Sequence, residues 1–451
     1  MIKTLCILFL PLLAFSKTLF VQETIKEYLN ENNPYYYATI AKESVSKKNE
    51  KVFESAFDTR LNMKYDDKRY PTTQGEYQQV DITKAIGNGM EFRVAYRSAQ
   101  GVQEYNNIKT GKEGELYTSI NIPILSLINN TSKNKLDYQI AKLRTKELSQ
   151  GSRKNILSLY YISSKVYFEL LLHKSIYQTE QDLLKRAELN YEFISKEVKS
   201  GKLAPIALID VKSQIINRKQ RLLSSKNRYQ NAKNTFLKYL NISERRFDTL
   251  YTLASIKVKK TSSKELYKGS QEIVIKNRPE FQRIEYQLDK LDLQLQYNDI
   301  SKYPKFNMKL DSVYDLEYKE DGYKVAMEFN FPLERSNYKG KNETYKKEKI
   351  LLHNTKETIK NDIDTNIRNI IQKISLQEKN ITLADEEIDL VKQLESAERR
   401  KYQEGLGSLL FVNQREILTL KAKQKQLHYY FELQLLHLQL KYELGTLLKK
   451  S

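Results

Sequence analysis

Tryptophan is absent from the chain, and cysteine occurs once, as Cys6. Glycine (14 residues) and proline (8 residues) are scarce in a chain of 451 residues. Because these two residues interrupt helices, their scarcity predicts long uninterrupted elements rather than loop-rich domains. A single cysteine excludes a disulfide framework within the chain and gives no paired-thiol chemistry.

Residue types used in catalysis and metal binding are also few. The four histidines, His173, His353, His428 and His437, are scattered, and the last two lie nine positions apart, which is not the spacing of a zinc pair on one helix turn. The sequence has no glycine-rich phosphate loop and no nucleophile elbow. We therefore expect no enzyme activity, no cofactor and no metal site.

Positive charge dominates, with a formal net charge of +20. Lysine and arginine are spread along the whole chain and form no single patch. This distribution favours a solvated surface over a nucleic-acid interface, so we expect no nucleic-acid partner.

The N-terminal residues 1–16 are typical of a secretory signal peptide. Lys3 precedes an apolar run from Leu5 to Phe15, and Ala14 and Ser16 are the small residues before a cleavage site. Beyond residue 16 there is no apolar run of about 18 residues, so we expect no membrane-spanning helix. The sequence predicts an exported protein that meets a membrane, if at all, through a β-barrel or a surface helix.

One short phrase occurs twice, as "LNMKYD" at 61–66 and "FNMKLD" at 306–311, 245 positions apart. Apolar and polar side chains alternate in both copies and in the segment 323–331, which predicts strands with one apolar face. The apolar positions are Leu61, Met63, Tyr65, Phe306, Met308, Leu310 and Phe329, and the polar positions are Asn62, Lys64, Asp66, Asn307, Lys309, Asp311 and Glu328. Isolated strand pairs are marginally stable, so we expect these strands to complete a sheet with other subunits.

The intervening sequence predicts long helices that turn at glycine. Neither glycine nor proline occurs in 152–200 or in 341–404, and Gly201 and Gly405 follow these stretches. Return helices are expected over about 205–240 and 408–448. The same order of elements occurs twice, which predicts a first repeat at 17–240, a linker at 241–263 and a second repeat at 264–451. A further hairpin is predicted at 78–97, turning at Gly87–Gly89.

Together these features resemble the TolC family of outer-membrane efflux proteins. The resemblance covers nearly all of the chain after residue 16. It rests on the signal peptide, the duplication, "NNP" and "NRP" opening the two halves, strands ending at "NIPIL" and "NFPLE", and the turns "SGKLAP" and "EGLGSL". No one of these motifs is specific; their order and spacing are.

The resemblance implies a mostly α-helical homotrimer with a shared β-barrel in the outer membrane, about four strands per subunit, on a long periplasmic coiled-coil tunnel. It implies that the polar strand positions face the barrel lumen and the apolar ones face lipid. Whether the 78–97 hairpin joins the barrel is left open by the sequence.

By the same resemblance, the helix turns contact a periplasmic adaptor (membrane-fusion) protein, which connects the channel to an inner-membrane efflux pump or ABC exporter. The adaptor-contact residues are Gly201, Lys202, Leu203, Ala204, Gly405, Leu406, Gly407 and Ser408. A simpler interpretation is that the two glycines only cap helices.

The family's periplasmic gate is where this sequence differs. Acidic residues six and nine positions after the second glycine are replaced by Phe411 and Gln414, and a basic residue two positions after it by Gly407. Tyr402 matches an aromatic residue of the family, but its usual acidic partner is Ala207. We hypothesise instead an apolar constriction formed by three copies of Phe411. The alternative is that Phe411 belongs to the core of its own hairpin.

The sequence therefore predicts an exit duct for small toxic compounds, of the kind used in multidrug resistance. Two alternatives stay open: the outer-membrane component of a type I protein secretion system, and an exported coiled-coil structural protein.

Overall fold

The computed structural model describes residues 17–101, 108–256 and 270–448. The predicted signal peptide, residues 1–16, and residues 257–263 of the predicted linker lie outside this part of the chain. No helix in the described ranges combines the length and the apolar composition that crossing a membrane requires.

The elements up to the middle of the chain follow in this order: β1 (Thr18–Phe20), α1 (Ile25–Tyr28), α2 (Pro34–Glu54), β2 (Arg60–Arg69), β3 (Gln74–Ala85), β4 (Glu91–Gly101), β5 (Glu115–Pro123), α3 (Ile124–Ile128), α4 (Lys133–Lys199), α5 (Ile206–Leu240), α6 (Glu244–Leu250) and β6 (Tyr251–Leu253). Short 3₁₀ helices precede α1 and β2, at Gln22–Thr24 and Ser55–Phe57.

The remaining elements are α7 (Ser270–Asn277), α8 (Pro279–Ile300), β7 (Lys305–Asp315), β8 (Asp321–Asn330), α9 (Ser336–Gln403) and α10 (Leu409–Glu443). The helices α4 and α9 have 67 and 68 residues. Both run through a glycine near their start, Gly151 and Gly340, so glycine alone does not end them. The long helices predicted from the sequence are confirmed, and they begin earlier than the glycine-free stretches do.

The described residues divide into two compact units, each of which takes segments from both halves of the chain. We call them the helical unit (within Met1–Thr39, Lys154–Arg278 and Asn361–Ser451) and the sheet unit (Ile40–Arg153 and Pro279–Lys360). The predicted repeat boundaries at 240 and 264 stay a prediction.

The core of the helical unit is built around Phe20. Its buried ring lies 5.0–5.6 Å from the ring centroids of Tyr167, Phe236, Phe247 and Tyr251. Strand β1 carries Phe20 there because it pairs in parallel with β6. Aromatic contacts of this kind add to the area that the rings bury, so they fasten the first described residues to the unit.

On α9, a stripe of apolar residues every three or four positions is buried, as the sequence predicts. It includes Ile363, Ile367, Ile370, Ile374, Ile381, Ala384 and Ile388. The same spacing of apolar residues in the sequence continues through Val391 to Leu394 and predicts that the buried stripe reaches Leu394, which the structure contradicts. Leu394 is exposed, whereas Glu395 is buried and forms ion pairs with Arg186 and Arg399.

The sheet unit holds one six-stranded sheet in the order β2-β3-β4-β5-β7-β8. Every neighbouring pair is antiparallel. The expected number of about four strands per chain is therefore corrected to six. The two additional strands are the predicted 78–97 hairpin, which extends over β3 and β4 and lies between β2 and β5.

Candidate functional site

The sheet has an apolar face that is exposed. Strand register places Met63 opposite Val80, Ile82 opposite Val94, and Met308 opposite Met327, so the apolar positions of all six strands share this face. Met63 is 73% exposed and Phe329 is 68% exposed. Contiguous apolar surface of this extent marks a contact with lipid or another protein.

The opposite face of the sheet is polar, and its residues are mostly buried or half-buried on β3, β4 and β5 but mostly exposed on β2 and β8. Asp81, Glu115 and Asp311 on this face are only 5–8% exposed. A sheet in a soluble protein has the reverse arrangement, with the apolar face in the core. The sheet therefore has the opposite distribution of exposed apolar and buried polar residues.

Asp81 is the centre of one hydrogen-bonded cluster on the polar face. Its carboxylate accepts hydrogen bonds from Asn62 Nδ2 (2.8 Å), Gln79 Nε2 (2.5 Å) and Thr83 Oγ1 (2.8 Å). Arg93 Nε lies 3.9 Å from the same carboxylate. Bonds of this kind satisfy a buried carboxylate across β2, β3 and β4.

Tyr117 is the centre of a second cluster, across β4, β5 and β7. Its hydroxyl donates to Asp311 Oδ1 (2.9 Å) and accepts from Lys309 Nζ (3.0 Å), which also pairs with Asp311 at 3.3 Å. The guanidinium of Arg97 lies 4.3 Å from the Tyr117 ring centroid and forms an ion pair with Glu115. Four charged residues and a phenol thus line this part of the polar face.

The structure places each of the two sets of strand residues predicted from the sequence on one face of the sheet. The residues expected to face a lumen share the polar face: Asn62, Lys64, Asp66, Asn307, Lys309, Asp311 and Glu328. Those expected to face lipid share the other: Leu61, Met63, Tyr65, Phe306, Met308, Leu310 and Phe329. That these faces meet a lumen and lipid stays a prediction.

Tyr117, Asp81, Arg97 and Glu115 are not among the site residues predicted from the sequence. The alternation of Tyr117, Ser119 and Asn121 in "YTSIN" was the available signal for β5. For β3 and β4 the signal was present in the predicted hairpin, but its membership of the sheet was left open.

The two helix turns of the helical unit have the same backbone geometry. Gly201 and Gly405 have φ angles of +78° and +76°. At each, the glycine N–H donates to the carbonyl three residues back, and the next N–H donates to the carbonyl five residues back, at 2.9–3.1 Å. This is the Schellman cap, which requires a left-handed residue and therefore favours glycine.

Residues beside the two glycines are mostly exposed, as an adaptor contact requires. Leu406 is 79% exposed, Lys202 and Ala204 are exposed, and Leu203 and Gly407 are half-buried. Ser408 caps α10 by accepting a hydrogen bond from Leu410 N at 3.2 Å. The capping role of the glycines is thus present in the structure, and the adaptor role stays a prediction.

Of the predicted gate residues, Tyr402 is half-buried, whereas Phe411 (52% exposed) and Gln414 lie on the surface of the chain. Burial raises the pKa of Tyr402, and the negative charge of Glu197 on α4 raises it further. The alternative that Phe411 belongs to the core of its own hairpin is wrong for the single chain, because its side chain faces outward.

A buried charge cluster, which sequence analysis missed, lies deeper in the helical unit. Glu416 on α10 is 1% exposed and accepts from Arg218 Nη2 (2.5 Å) and Arg399 Nη2 (2.6 Å). Arg218 also donates to the Leu183 carbonyl at 2.8 Å. The cluster therefore ties together α4, α5, α9 and α10, the helices of both hairpins.

The surroundings of Glu416 are also polar. A cavity of about 90 Å³ is lined by Arg218, Arg221, Asn413 and Glu416, among others. The buried Asn413 Nδ2 has no hydrogen-bond partner in the described part of the chain. A cavity of this volume holds a few water molecules.

The comparisons with known proteins find similar structures but no similar sequence. The sequence matches no protein-family model and no curated protein. Its structure is similar to that of the outer membrane protein VceC from Vibrio cholerae (12% identity, TM-score 0.66, covering 94% of this chain and 96% of VceC). It is also similar to the CmeC outer membrane channel of Campylobacter jejuni (10% identity, TM-score 0.67, 94% and 86%).

A third similar structure is the open state of the Neisseria gonorrhoeae MtrE outer membrane channel (13% identity, TM-score 0.67, covering 95% of this chain and 89% of MtrE). The chain thus has the fold of the TolC-like outer-membrane channels over almost its whole length. The fold expected from the sequence resemblance is confirmed.

Proposed function

We propose that this protein is an outer-membrane channel, the exit duct through which a tripartite efflux system releases small toxic compounds. The single observation that carries the proposal is the polarity of the six-stranded sheet. Its apolar side chains share one face, where they are exposed or half-buried, and the other face is polar, with Asp81, Glu115 and Asp311 buried on it, in register across the six strands. A closed barrel in lipid with a water-filled lumen has this arrangement, whereas a soluble coiled-coil protein does not require an exposed apolar sheet face.

The same proposal assigns the partners. Three chains share one barrel in outer-membrane lipid, and their helices lie in the periplasm. The exposed turns at Gly201 and Gly405 contact a periplasmic adaptor protein, which connects the channel to an inner-membrane pump. The matched caps support this assignment, because both turns present their short, exposed segments in one backbone geometry.

The first test is whether the protein forms a channel in the outer membrane. Membrane fractionation should recover it with the outer membrane, and the purified protein should give discrete conductance steps in a planar bilayer. Recovery in the soluble fraction without conductance would instead support the exported structural protein.

The second test identifies the cargo. A deletion strain should become sensitive to dyes, bile salts and antibiotics, and the intact gene on a plasmid should restore resistance. Unchanged sensitivity together with the loss of one secreted protein would overturn the small-compound duct and indicate type I secretion.

A further inference from the structure

We propose that the sheet is one third of a closed barrel of eighteen strands, in which β8 of each chain pairs with β2 of the next. This inference rests on the proposed channel function and gives the barrel a size. Four strands per chain, the number implied by sequence resemblance, would give twelve.

The two edges of the sheet are suited to join each other. Among the described residues, β2 and β8 each have one hydrogen-bonded neighbour, and both have ten residues. All five strand pairs are antiparallel, so β2 and β8 run in opposite directions. Edges of two chains that meet therefore extend the antiparallel sheet without a break.

One chain cannot close such a barrel alone. The smallest membrane barrels have about eight strands, and open sheet edges do not occur in hydrocarbon. Six strands therefore need further copies. Three copies give an even, fully antiparallel ring whose strand number lies within the range of known membrane barrels.

The β3–β4 hairpin is part of the wall and not a loop above it. Strand β3 pairs with all ten residues of β2 and with eleven of β4. Its faces continue those of its neighbours, with Val80 and Val94 on the apolar face and Asp81 on the polar face. Because β3 and β4 are an even number of strands, their insertion between β2 and β5 leaves the directions of the edge strands β2 and β8 unchanged.

The turn of this hairpin is held against β5 and against Ser132, the residue before α4. Gly89 has a φ angle of +88°, and a Cβ there would lie 2.9 Å from Pro123 Cγ. Ser132 Oγ donates to the Gly87 carbonyl at 2.9 Å. Because the turn packs this closely, the hairpin has a fixed position beside β5.

The consequence is a wider pore. Barrel diameter grows roughly linearly with strand number, so eighteen strands give about 1.5 times the diameter of twelve. The outer-membrane part would then admit bulkier cargo than a twelve-stranded barrel does.

Single-cysteine labelling tests the position of the hairpin. Arg93→Cys and Val94→Cys are adjacent on β4 and lie on opposite faces; Lys64→Cys and Met63→Cys are the matched pair on β2. Each purified variant is placed in lipid vesicles and treated with a hydrophilic maleimide. We expect Arg93→Cys and Lys64→Cys to be labelled, and Val94→Cys and Met63→Cys to be protected by lipid.

Two results would overturn this expectation, and they differ. If Val94→Cys is labelled as readily as Arg93→Cys while Met63→Cys is protected, the hairpin lies outside the wall and only the eighteen-stranded barrel fails. If Met63→Cys is labelled as readily as Lys64→Cys, the sheet is not in lipid and the proposed function fails as well.

Disulfide crosslinking tests the strand count. Val325→Cys on β8 is combined in turn with a cysteine at the same-face β2 positions 61, 63, 65, 67 and 69, and the assembled protein is oxidised. Because bridged Cβ atoms must lie about 3.8 Å apart, only the paired register reacts. A covalent trimer on a denaturing gel is the expected product. A covalent dimer as end product, or no product at any position, would overturn the barrel, and single-cysteine variants serve as controls.

Discussion

Glu416 is the residue whose environment departs furthest from expectation. Its carboxylate is almost fully buried and contacts two guanidinium groups, Arg218 and Arg399. Buried ions lose their hydration, so they are stable only while every partner is present. This cluster is not predictable from the sequence, because Arg218 and Glu416 are 198 positions apart and either alone has the appearance of a surface residue on a charged helix.

Replacement of Glu416 should therefore be costly. Glu416→Gln keeps the shape but leaves the buried guanidinium of Arg218 without its counter-charge, whereas Arg399 keeps Glu395, and we expect a loss of about 3–5 kcal/mol in the free energy of unfolding. Thermal unfolding followed by circular dichroism measures the change. Glu432→Gln, an exposed carboxylate on the same helix, is the matched control, and equal melting temperatures for the two variants would contradict the prediction.

Substitution of Phe411 tests the gate hypothesis. Its outward-facing ring leaves it free to meet copies from neighbouring chains, and a narrow apolar ring resists wetting. We expect Phe411→Ala to raise the conductance of the closed channel in planar-bilayer recordings. Phe411→Leu, which keeps an apolar side chain, should change this conductance less. If the closed-state conductance of Phe411→Ala equals that of the unaltered protein, the hypothesis is ruled out.

Among the elements, the glycine turns and the strands were predictable from the sequence because their signals are local. Alternation identified β2, β7 and β8, and glycine after a breaker-free stretch located both turns. The six-stranded sheet was not fully predictable, since nothing local distinguishes a hairpin inside a sheet from one beyond its edge. The starts of α4 and α9 were misjudged because packing overrides the low helix propensity of a single glycine.

The glycine at a turn and the glycine within a helix should respond oppositely to alanine. A Cβ at Gly405 would meet no atom within 4 Å, so Gly405→Ala is opposed only by its left-handed backbone, at about 1–2 kcal/mol. Gly151 lies inside α4, also without a neighbour within 4 Å, and Gly151→Ala should stabilise by about 0.5–1 kcal/mol. Thermal unfolding compares them, and a stabilising Gly405→Ala would show that the left-handed cap is not retained.

The register of β7 makes a prediction about its two faces. Leu310 lies opposite Ile120 and Val325, so Leu310→Arg places a cation on the apolar face at about 2–4 kcal/mol per copy and should hinder membrane assembly. Lys309→Glu, on the polar face, should assemble and change ion selectivity. Heat-resistant trimer on gels and reversal potentials in a salt gradient measure these effects. The opposite pair of outcomes would mean that the faces are assigned wrongly by one residue.

For the whole molecule, two half-buried histidines link stability to pH. Burial lowers the pKa of His173, with Arg228 and His428 lowering it further, and burial likewise lowers the pKa of His437. The folded chain then binds these protons more weakly than the unfolded chain does. Stability is therefore full above the ordinary histidine pKa of about 6.5 and declines as pH falls through and below it.

We accordingly expect a lower melting temperature at acidic pH, measured in a series of buffers from neutral to mildly acidic. The double variant with His173→Gln and His437→Gln should lose part of this dependence, whereas His353→Gln, an exposed histidine on α9, should keep it. An unchanged pH profile in the double variant would exclude the two histidines as its cause.

The matched caps have a consequence for how the chain can change length. Left-handed residues end the return helices at Asn241 and Gly445, and these lie 40 positions after Gly201 and Gly405. The two return helices thus have the same length, and a deletion in one would need an equal deletion in the other. The 41 extra residues of the first half all precede Gly201, as the offset falls from 245 at Asn62 to 204 there. The additional length of the first half therefore lies before the turn at Gly201, mostly in the sheet, whereas the return helices span the same number of positions in both halves.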